Sequence, residues 1–372
     1  MSDAGRSLAI RALAERLQAR MIAAGAVPVG ADILQPADQL LDLYGEDIRA
    51  RAYVTHDPLR GELMLRPDFT VPVVQAHMIN GADPARYTYL GEVFRKQDRS
   101  DGRGRPSEYL QLGYEVFDRA NPAAADAEVF ALFADLLAGL PVQAITGDIG
   151  ILLAAVNGLA TSPKRRAALQ RHIWRPQRFR ALLDRFGGRV GASDARAPML
   201  ARFRAKPATA LMIEAGPWVG ARTGAEVEAR SAALLEDAAL PPIAPEQLAI
   251  LDRILALQGR APDAMAALRE LAGAMPVLTP ALDRMEQRLA AMAGRGIDVA
   301  ALAFEAAYGR TTLEYYDGFV FGFYAADLTL PAVASGGRYD ALTRVLGRGR
   351  SIPAVGGVIR PALVLALQGG GA

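Results

Sequence analysis

The period of the apolar positions changes several times along this chain. Leu8, Ala12, Leu13 and Leu17 recur at helical spacing, with Arg6, Arg11, Glu15 and Arg16 between them. This predicts an amphipathic helix over 6–24, with Gly25 placed to cap it. An extended run follows at 27–29, then a short helix at 37–44. Strands are expected at 51–56 and 62–66 around a turn at Asp57-Pro58. Residues 70–80 return to helical spacing, and Pro72 is tolerated in a first turn. From Tyr87 to Asp118 the period drops to two, as two strands joined by a polar loop rich in Gly and Arg. On the second strand Tyr109, Gln111, Gly113 and Glu115 share one face, and Leu110, Leu112, Tyr114 and Val116 share the other. A helix is expected over 123–138 after Asn121-Pro122, and a strand from Leu140-Pro141.

From about Ser162 to Arg295 the alternation disappears. Helical segments rich in Arg and Ala take over at 164–172, 177–186, 196–204, 224–236, 246–257, 262–273 and 279–293. Strand patterning resumes at 318–325, and a helix is expected at 361–367. The expected organisation is α+β: a core of 1–160 and 300–372, interrupted by a helical insertion over 161–299. Lys164-Arg165-Arg166 with Arg171, His172 and Arg175 makes a basic run in the insertion. A solvated helix face explains it better than an RNA-binding patch, because Leu169, Ile173 and Trp174 form an ordinary buried stripe.

The 372 residues carry 42 basic and 40 acidic side chains, a net charge of +2 that implies no strong field for nucleic acid. Lysine occurs only at Lys96, Lys164 and Lys206. Cysteine is absent, which rules out disulfides and a thiol nucleophile. The three histidines, His56, His77 and His172, are widely spaced, so no metal site is expected. The N-terminal segment is charged throughout, unlike a secretory signal, and no run approaches the roughly 20 apolar residues that span a bilayer. A cytoplasmic protein without membrane contact is expected.

Candidate chemistry lies on the polar face of the second hairpin strand. Gln111 offers an amide, Glu115 a carboxylate, and Gly113 a gap where a ligand could approach the backbone. A small zwitterion needs such a surface: acceptors for its ammonium and an Arg, here Arg95, for its carboxylate. A half-solvated antiparallel hairpin is the plainer explanation of the same alternation.

Other segments keep company with this hairpin. Arg66-Pro67-Asp68-x-Thr70 resembles the Arg-Pro-Glu-Gly-Thr segment of histidyl-tRNA synthetase, a class II aminoacyl-tRNA synthetase. Phe94-Arg95, the Gly104-Arg105 loop and Glu108-Tyr109-x-Gln111 resemble class II motif 2. Leu313-Glu314-Tyr315-Tyr316 resembles the histidine-specific Leu-Asp-Tyr-Tyr segment, and Ser335-Gly336-Gly337-Arg338-Tyr339-Asp340 follows it. Ile33 to Pro36 with Tyr44-Gly45-Glu46 resembles motif 1, the dimer-forming element. The resemblance spans most of 5–157 and 301–360. It implies a class II-like antiparallel sheet flanked by helices.

The departures are as informative. Gln97 stands where the synthetases have the motif 2 Glu, and Ser107 where they have a second Arg. Thr311-Thr312 replaces the Arg-Gly before the Tyr pair. Motif 3 is shortened to Pro353–Arg360, with Ile359 for its acid. No anticodon-binding domain, about 100 further residues, is expected after Ala372. The amino-acid pocket looks kept and the ATP and tRNA machinery stripped. This combination resembles the family of ATP phosphoribosyltransferase regulatory subunits. The resemblance implies a non-catalytic, cofactor-free homodimer within a hetero-oligomer. Its implied partner is a short-form ATP phosphoribosyltransferase catalytic subunit, and its implied effector is L-histidine.

On that resemblance the candidate histidine-binding residues are Asp68, Thr70, Arg95, Gln111, Glu115, Tyr315 and Tyr316. Asp68 and Thr70 equally suit a helix cap. Tyr315 and Tyr316 would point to opposite faces of a strand, so at most one is expected in the pocket. Gly336-Gly337 suits either a close backbone approach or a bend. A truncated synthetase-like ligase and a structural dimer module with a dead pocket are the competing readings.

Overall fold

The structure is a computed structural model, and it describes residues 3–37, 50–97, 106–191, 196–217, 220–310, 315–327 and 329–369. The helix expected at 37–44, Tyr44-Gly45-Glu46, the Gly104-Arg105 loop and Thr311 to Glu314 lie outside the described residues, apart from Ala37.

The chain divides into two compact units, 1–154 with 254–372, and 155–253. The first unit opens with helix α1 (Asp3–Ala23), whose Leu13, Leu17 and Met21 are buried, and the short strand β1 (Val27–Pro28). Strands β2 (Leu34–Pro36), β3 (Val54–Asp57) and β4 (Gly61–Leu65) form a small sheet in the order β2-β4-β3. Helix α2 (Thr70–Asn80) follows. The long hairpin β5 (Ala85–Phe94) and β6 (Glu108–Phe117) pairs antiparallel along its whole length, Ala85 opposite Phe117 and Phe94 opposite Glu108. Asn121 caps helix α3 (Pro122–Leu136) by accepting from the Ala124 N–H, and strand β7 (Val142–Asp148) and helix α4 (Ile149–Asn157) come next.

The second unit is helical: α5 (Pro163–Arg171), α6 (Pro176–Phe186), α7 (Arg196–Ala205), α8 (Ala208–Glu214) and α9 (Gly224–Ala239), with most of α10 (Pro245–Ala256). Leu169, Ile173, Phe179 and Leu183 are buried in it. The basic run is a solvated face only in part: Lys164 and Arg171 are exposed. Arg165 is buried and pairs with Asp237 at 2.7 Å, Arg166 donates to the carbonyls of Leu159 and Thr161, and Lys164 pairs with Glu236.

Residues 254–299 fall in the first unit, so the structure draws the boundary differently from the 161–299 expected from helical texture. Strand β8 (Gln258–Arg260), helices α11 (Ala261–Ala274) and α12 (Thr279–Ala293) and strand β9 (Ala303–Glu305) all belong there, and α12 packs on α3. Strands β10 (Phe319–Ala325) and β11 (Ala334–Arg338), helix α13 (Asp340–Leu346), strand β12 (Ala354–Ile359) and helix α14 (Pro361–Gln368) complete the unit. Nine strands make one sheet in the order β1-β5-β6-β12-β11-β10-β7-β9-β8, antiparallel except at the β1–β5 and β7–β9 pairs. The helices cover it, so the sheet's centre is buried on both faces. From Gln111 to Phe117 every residue of β6 is buried, including the polar ones. A one-sided wet hairpin is therefore not what the alternation encodes.

Candidate functional site

Glu115 lies at the middle of the sheet. Its neighbours in register are Tyr87 on β5 and Gly356 on β12. A Cβ at Gly356 would sit 1.5 Å from Glu115 Oε2, so the carboxylate occupies space that only glycine leaves open. Gly113 is filled in the same way, by Tyr89 from the opposing strand, whose ring would lie 2.0 Å from a Cβ there. The gap at Gly113 expected from the sequence therefore admits a side chain of the protein.

Three hydroxyls converge on the carboxylate. Thr70 Oγ1 donates to Oε1 at 2.9 Å, the Tyr89 hydroxyl to the same oxygen at 3.1 Å, and the Tyr339 hydroxyl to Oε2 at 2.5 Å. Burial pushes the Tyr89, Tyr315 and Tyr339 phenols well above their usual range, so they stay protonated and can donate. Glu115 is 1% exposed, and among the described residues no ion pair joins it to a cation. Burial pushes its carboxyl up to about 7, against the pull of the three hydroxyls, and the charge of Asp68 adds to the rise.

Of the remaining expected residues, Asp68, Tyr315 and Tyr316 lie close to this group, while Gln111 lies four residues along the same strand face and Arg95 beyond the strand's end. Asp68 is buried and accepts from the Tyr315 hydroxyl at 3.4 Å. It does not cap α2: the N-cap residue is Phe69, without a side-chain bond, and Thr70 directs its hydroxyl to Glu115. The cap reading of Asp68 and Thr70 is corrected accordingly. Gln111 is 1% exposed, and among the described residues its Oε1 has no hydrogen-bond partner. Tyr315 and Tyr316 are both buried, with ring centroids 5.0 Å apart, and burial first, then the charges of Asp68 and Glu115, pushes both phenols up. The strand premise for setting them on opposite faces does not hold, because residues 315–318 precede β10 and are not strand, so alternation does not apply to them. Arg95 stands just past the end of β5, where its Nε donates to the Pro67 carbonyl at 2.7 Å. It thus fastens the segment carrying Asp68.

Tyr89, Tyr339 and Gly356 are site residues the sequence reading did not single out. Tyr339 was within reach, since it lies in the Arg338-Tyr339-Asp340 segment. Tyr89 is detectable only from its register opposite Gly113. Gly336 and Gly337 belong to β11, and a Cβ on Gly336 would meet the Gly356 carbonyl at 2.3 Å, so close strand packing explains them. Gln97 donates to the carbonyls of Arg95 at 3.3 Å and Pro106 at 3.1 Å. Its amide thus ties the two ends of the hairpin loop together.

Chemically, the site offers a buried carboxylate with neutral hydroxyl donors around it, a second buried carboxylate, and an amide oxygen with nothing to accept from. It suits an organic cation with several N–H groups.

The nine-stranded sheet and its covering helices are a class II synthetase-like architecture, and the comparisons agree. A histidyl-tRNA synthetase family model matches residues 4–214 and 221–362. The structure is similar to that of an ATP phosphoribosyltransferase regulatory subunit/histidyl-tRNA synthetase from Bacillus halodurans, with a TM-score of 0.67 and 20% identity, covering 97% of this chain and 79% of that one. A histidine–tRNA ligase subunit from Alicyclobacillus acidocaldarius gives a TM-score of 0.59 at 21% identity, covering 100% and 96%. Among curated relatives, the ATP phosphoribosyltransferase regulatory subunit of Allorhizobium ampelinum is 34% identical over 355 residues, 90% of this chain and 91% of its own. That of Brucella canis is 34% identical over 339 residues, 87% of this chain and 88% of its own. Within the histidyl-tRNA synthetase-like class, the chain belongs to the family of ATP phosphoribosyltransferase regulatory subunits.

Proposed function

We propose that this chain is the histidine-sensing, non-catalytic subunit of an ATP phosphoribosyltransferase, acting in the cytoplasm in the first step of histidine biosynthesis. In this reading it activates a short-form catalytic subunit and transmits inhibition by L-histidine. The observation that carries the sensor role is Glu115: a buried carboxylate with three neutral hydroxyls and, among the described residues, no cation, with Gln111 Oε1, unpartnered among the same residues, on its own strand face. An ammonium group supplies the missing positive charge. The Gln111 oxygen, four residues along the same strand face, supplies an acceptor for an N–H elsewhere on the ligand, and Asp68 with the Tyr315–Tyr316 pair surrounds the imidazole. Arg95 is assigned to the carboxylate. Sensing requires that histidine prefer one state of the complex over another.

The test is to mix the chain with a short-form catalytic subunit and follow phosphoribosyl-ATP with and without L-histidine. Activation and a histidine-dependent loss of rate are expected. A catalytic subunit indifferent to this chain would remove the reading. If activation occurs and histidine has no effect, the activator role stands and the sensor role falls. No histidyl-adenylate is expected in pyrophosphate exchange, since Gln97 holds main-chain carbonyls where the synthetases place an acid. A homodimer is also proposed, from the motif 1-like segment beginning at Ile33, and light scattering at micromolar concentration tests it.

A further inference from the structure

Helices α2 and α13 begin at the candidate site and end together at the surface of the first unit. Thr70, the first residue of α2, and Tyr339, immediately before α13, both donate to Glu115. At the other end, Arg350 Nη2 donates to the Met78 carbonyl at 2.7 Å. A Cβ on Gly347 would meet Met78 Cε at 2.4 Å, so the turn after α13 is seated on the last turn of α2. Two large aliphatic side chains stand out there, Ile79 at 76% exposure and Val345 at 59%. Arg344, Arg348 and Arg350 are exposed around them. Among the described residues no ion pair neutralises any of the three.

We propose that this patch is the docking surface for the catalytic partner, and that it receives an apolar protein surface rimmed by Asp and Glu. The proposal rests on the functional reading above for the existence of that partner. The occupant's chemistry follows from the patch. An exposed aliphatic centre needs an apolar surface to cover it, and Arg is enriched where proteins meet. Three unneutralised guanidinium groups select a surface of opposite sign and repel one of their own. A second copy of this chain is disfavoured by the same charge. A two-fold contact here would set the three Arg against themselves. The position also suits a regulatory subunit. A ligand that changes the charge on Glu115 acts on the first residues of both helices whose last residues form the patch. Any coupling is reciprocal, so partner binding would change histidine affinity by the same factor.

The test uses two full-length double variants, Arg344→Glu with Arg348→Glu, and Ile79→Ser with Val345→Ser. For each, the dissociation constant with a short-form catalytic subunit is measured, together with L-histidine binding by calorimetry and mass by light scattering. Charge reversal is expected to weaken the complex by about 100-fold or more, and the aliphatic pair by about 10-fold. Histidine binding should match wild type, which shows the fold and pocket intact. Wild-type affinity should fall with added salt. If the variants bind the catalytic subunit as tightly as wild type, the patch is wrong and the functional reading survives. If wild type does not bind the catalytic subunit, both fall. If charge reversal instead splits a homodimer into monomers, the patch is a contact between copies and the proposal is overturned.

Discussion

Two groups of buried carboxylates in the first unit are handled in opposite ways. Asp126 and Asp148 are met by guanidinium groups. Arg288 donates to Asp126 at 3.3 Å and to Asp148 at 2.7 Å, and lies over the Phe319 ring at 4.4 Å. Arg338 donates to Asp126 at 2.8 Å and to Asp340 at 2.9 Å. Glu115, just as deeply buried, is met among the described residues only by hydroxyls. A buried carboxylate paired with Arg is complete as it stands. One held by Thr and Tyr keeps its donors but lacks its charge balance. The first group cements α12, α3, β7 and β11. The second is arranged for something the chain does not itself contain. The two differ in what each should lose on substitution: the paired cluster should lose stability, the hydroxyl cage should lose binding.

The largest expected effect is therefore Arg288→Ala. It strands the buried Asp148 and leaves Asp126 to Arg338 alone, and breaking such a pair from one side costs about 3–5 kcal/mol. Denaturant unfolding at neutral pH checks this. A loss under about 1 kcal/mol would mean the cluster is as dispensable as an exposed pair and would erase the contrast.

Arg288 also shows why part of the fold was hidden in the sequence. The run 262–293 has the same Arg and Ala texture as the second unit, so it reads as insertion. What assigns α12 to the core is a charge contact across 140 residues, from Arg288 to Asp148, which no local pattern encodes. The hairpin β5–β6 was legible because alternation is local, and its order with the Arg66–Thr70 and Tyr315–Tyr316 segments located the site. Asp68, Thr70, Gln111 and Glu115 all proved to be buried polar residues. What the pattern missed was packing: Tyr89 filling Gly113, and Gly356 making room for Glu115. Those depend on strand register, and a side chain's fate in a sheet is set by the strand beside it.

Next in size is Glu115→Gln. It should weaken L-histidine binding by about 2 kcal/mol or more, since a charged hydrogen bond is lost. Unfolding stability should hold or rise, the reverse of Arg288→Ala. The pH dependence sharpens the point. In the folded protein the Glu115 carboxyl is raised from an ordinary value of 4.5 to about 7. The folded state thus binds more protons than the unfolded state between these values, and unliganded stability should fall as pH rises through that window. Asp317, raised by burial to about 7, contributes with the same sign. The difference between wild type and Glu115→Gln isolates the Glu115 share. Parallel stability–pH curves for the two would remove Glu115 as the unbalanced charge.

Tyr339→Phe is expected to be milder. Its hydroxyl is the strongest of the three supports of the ionised carboxylate. Removing it should push the Glu115 carboxyl higher still. Histidine binding at pH 7 should weaken by about 1 kcal/mol, and the pH at which affinity is half-maximal should move up. Calorimetry across pH 6–8 on both proteins reads this, with Glu115→Gln as the baseline for titration of the ligand itself. An unchanged profile would show that Thr70 and Tyr89 suffice.

The smallest stability effect belongs to Gln111, and its sign matters more than its size. Its Oε1 is buried with no donor among the described residues, a state that costs free energy when nothing binds. Gln111→Leu removes that oxygen in a side chain of similar volume. If the oxygen awaits a ligand N–H, the unliganded protein should keep its melting temperature or gain slightly, while L-histidine binding weakens. If Gln111 were structural, the substitution should lower stability and leave binding near wild type. Thermal unfolding with and without histidine separates the two, because a ligand that binds only the folded state raises the melting temperature by an amount that grows with the logarithm of its retained affinity. The expected result is a variant as stable as its parent when empty and nearly insensitive to histidine, the inverse of what Arg288→Ala should show.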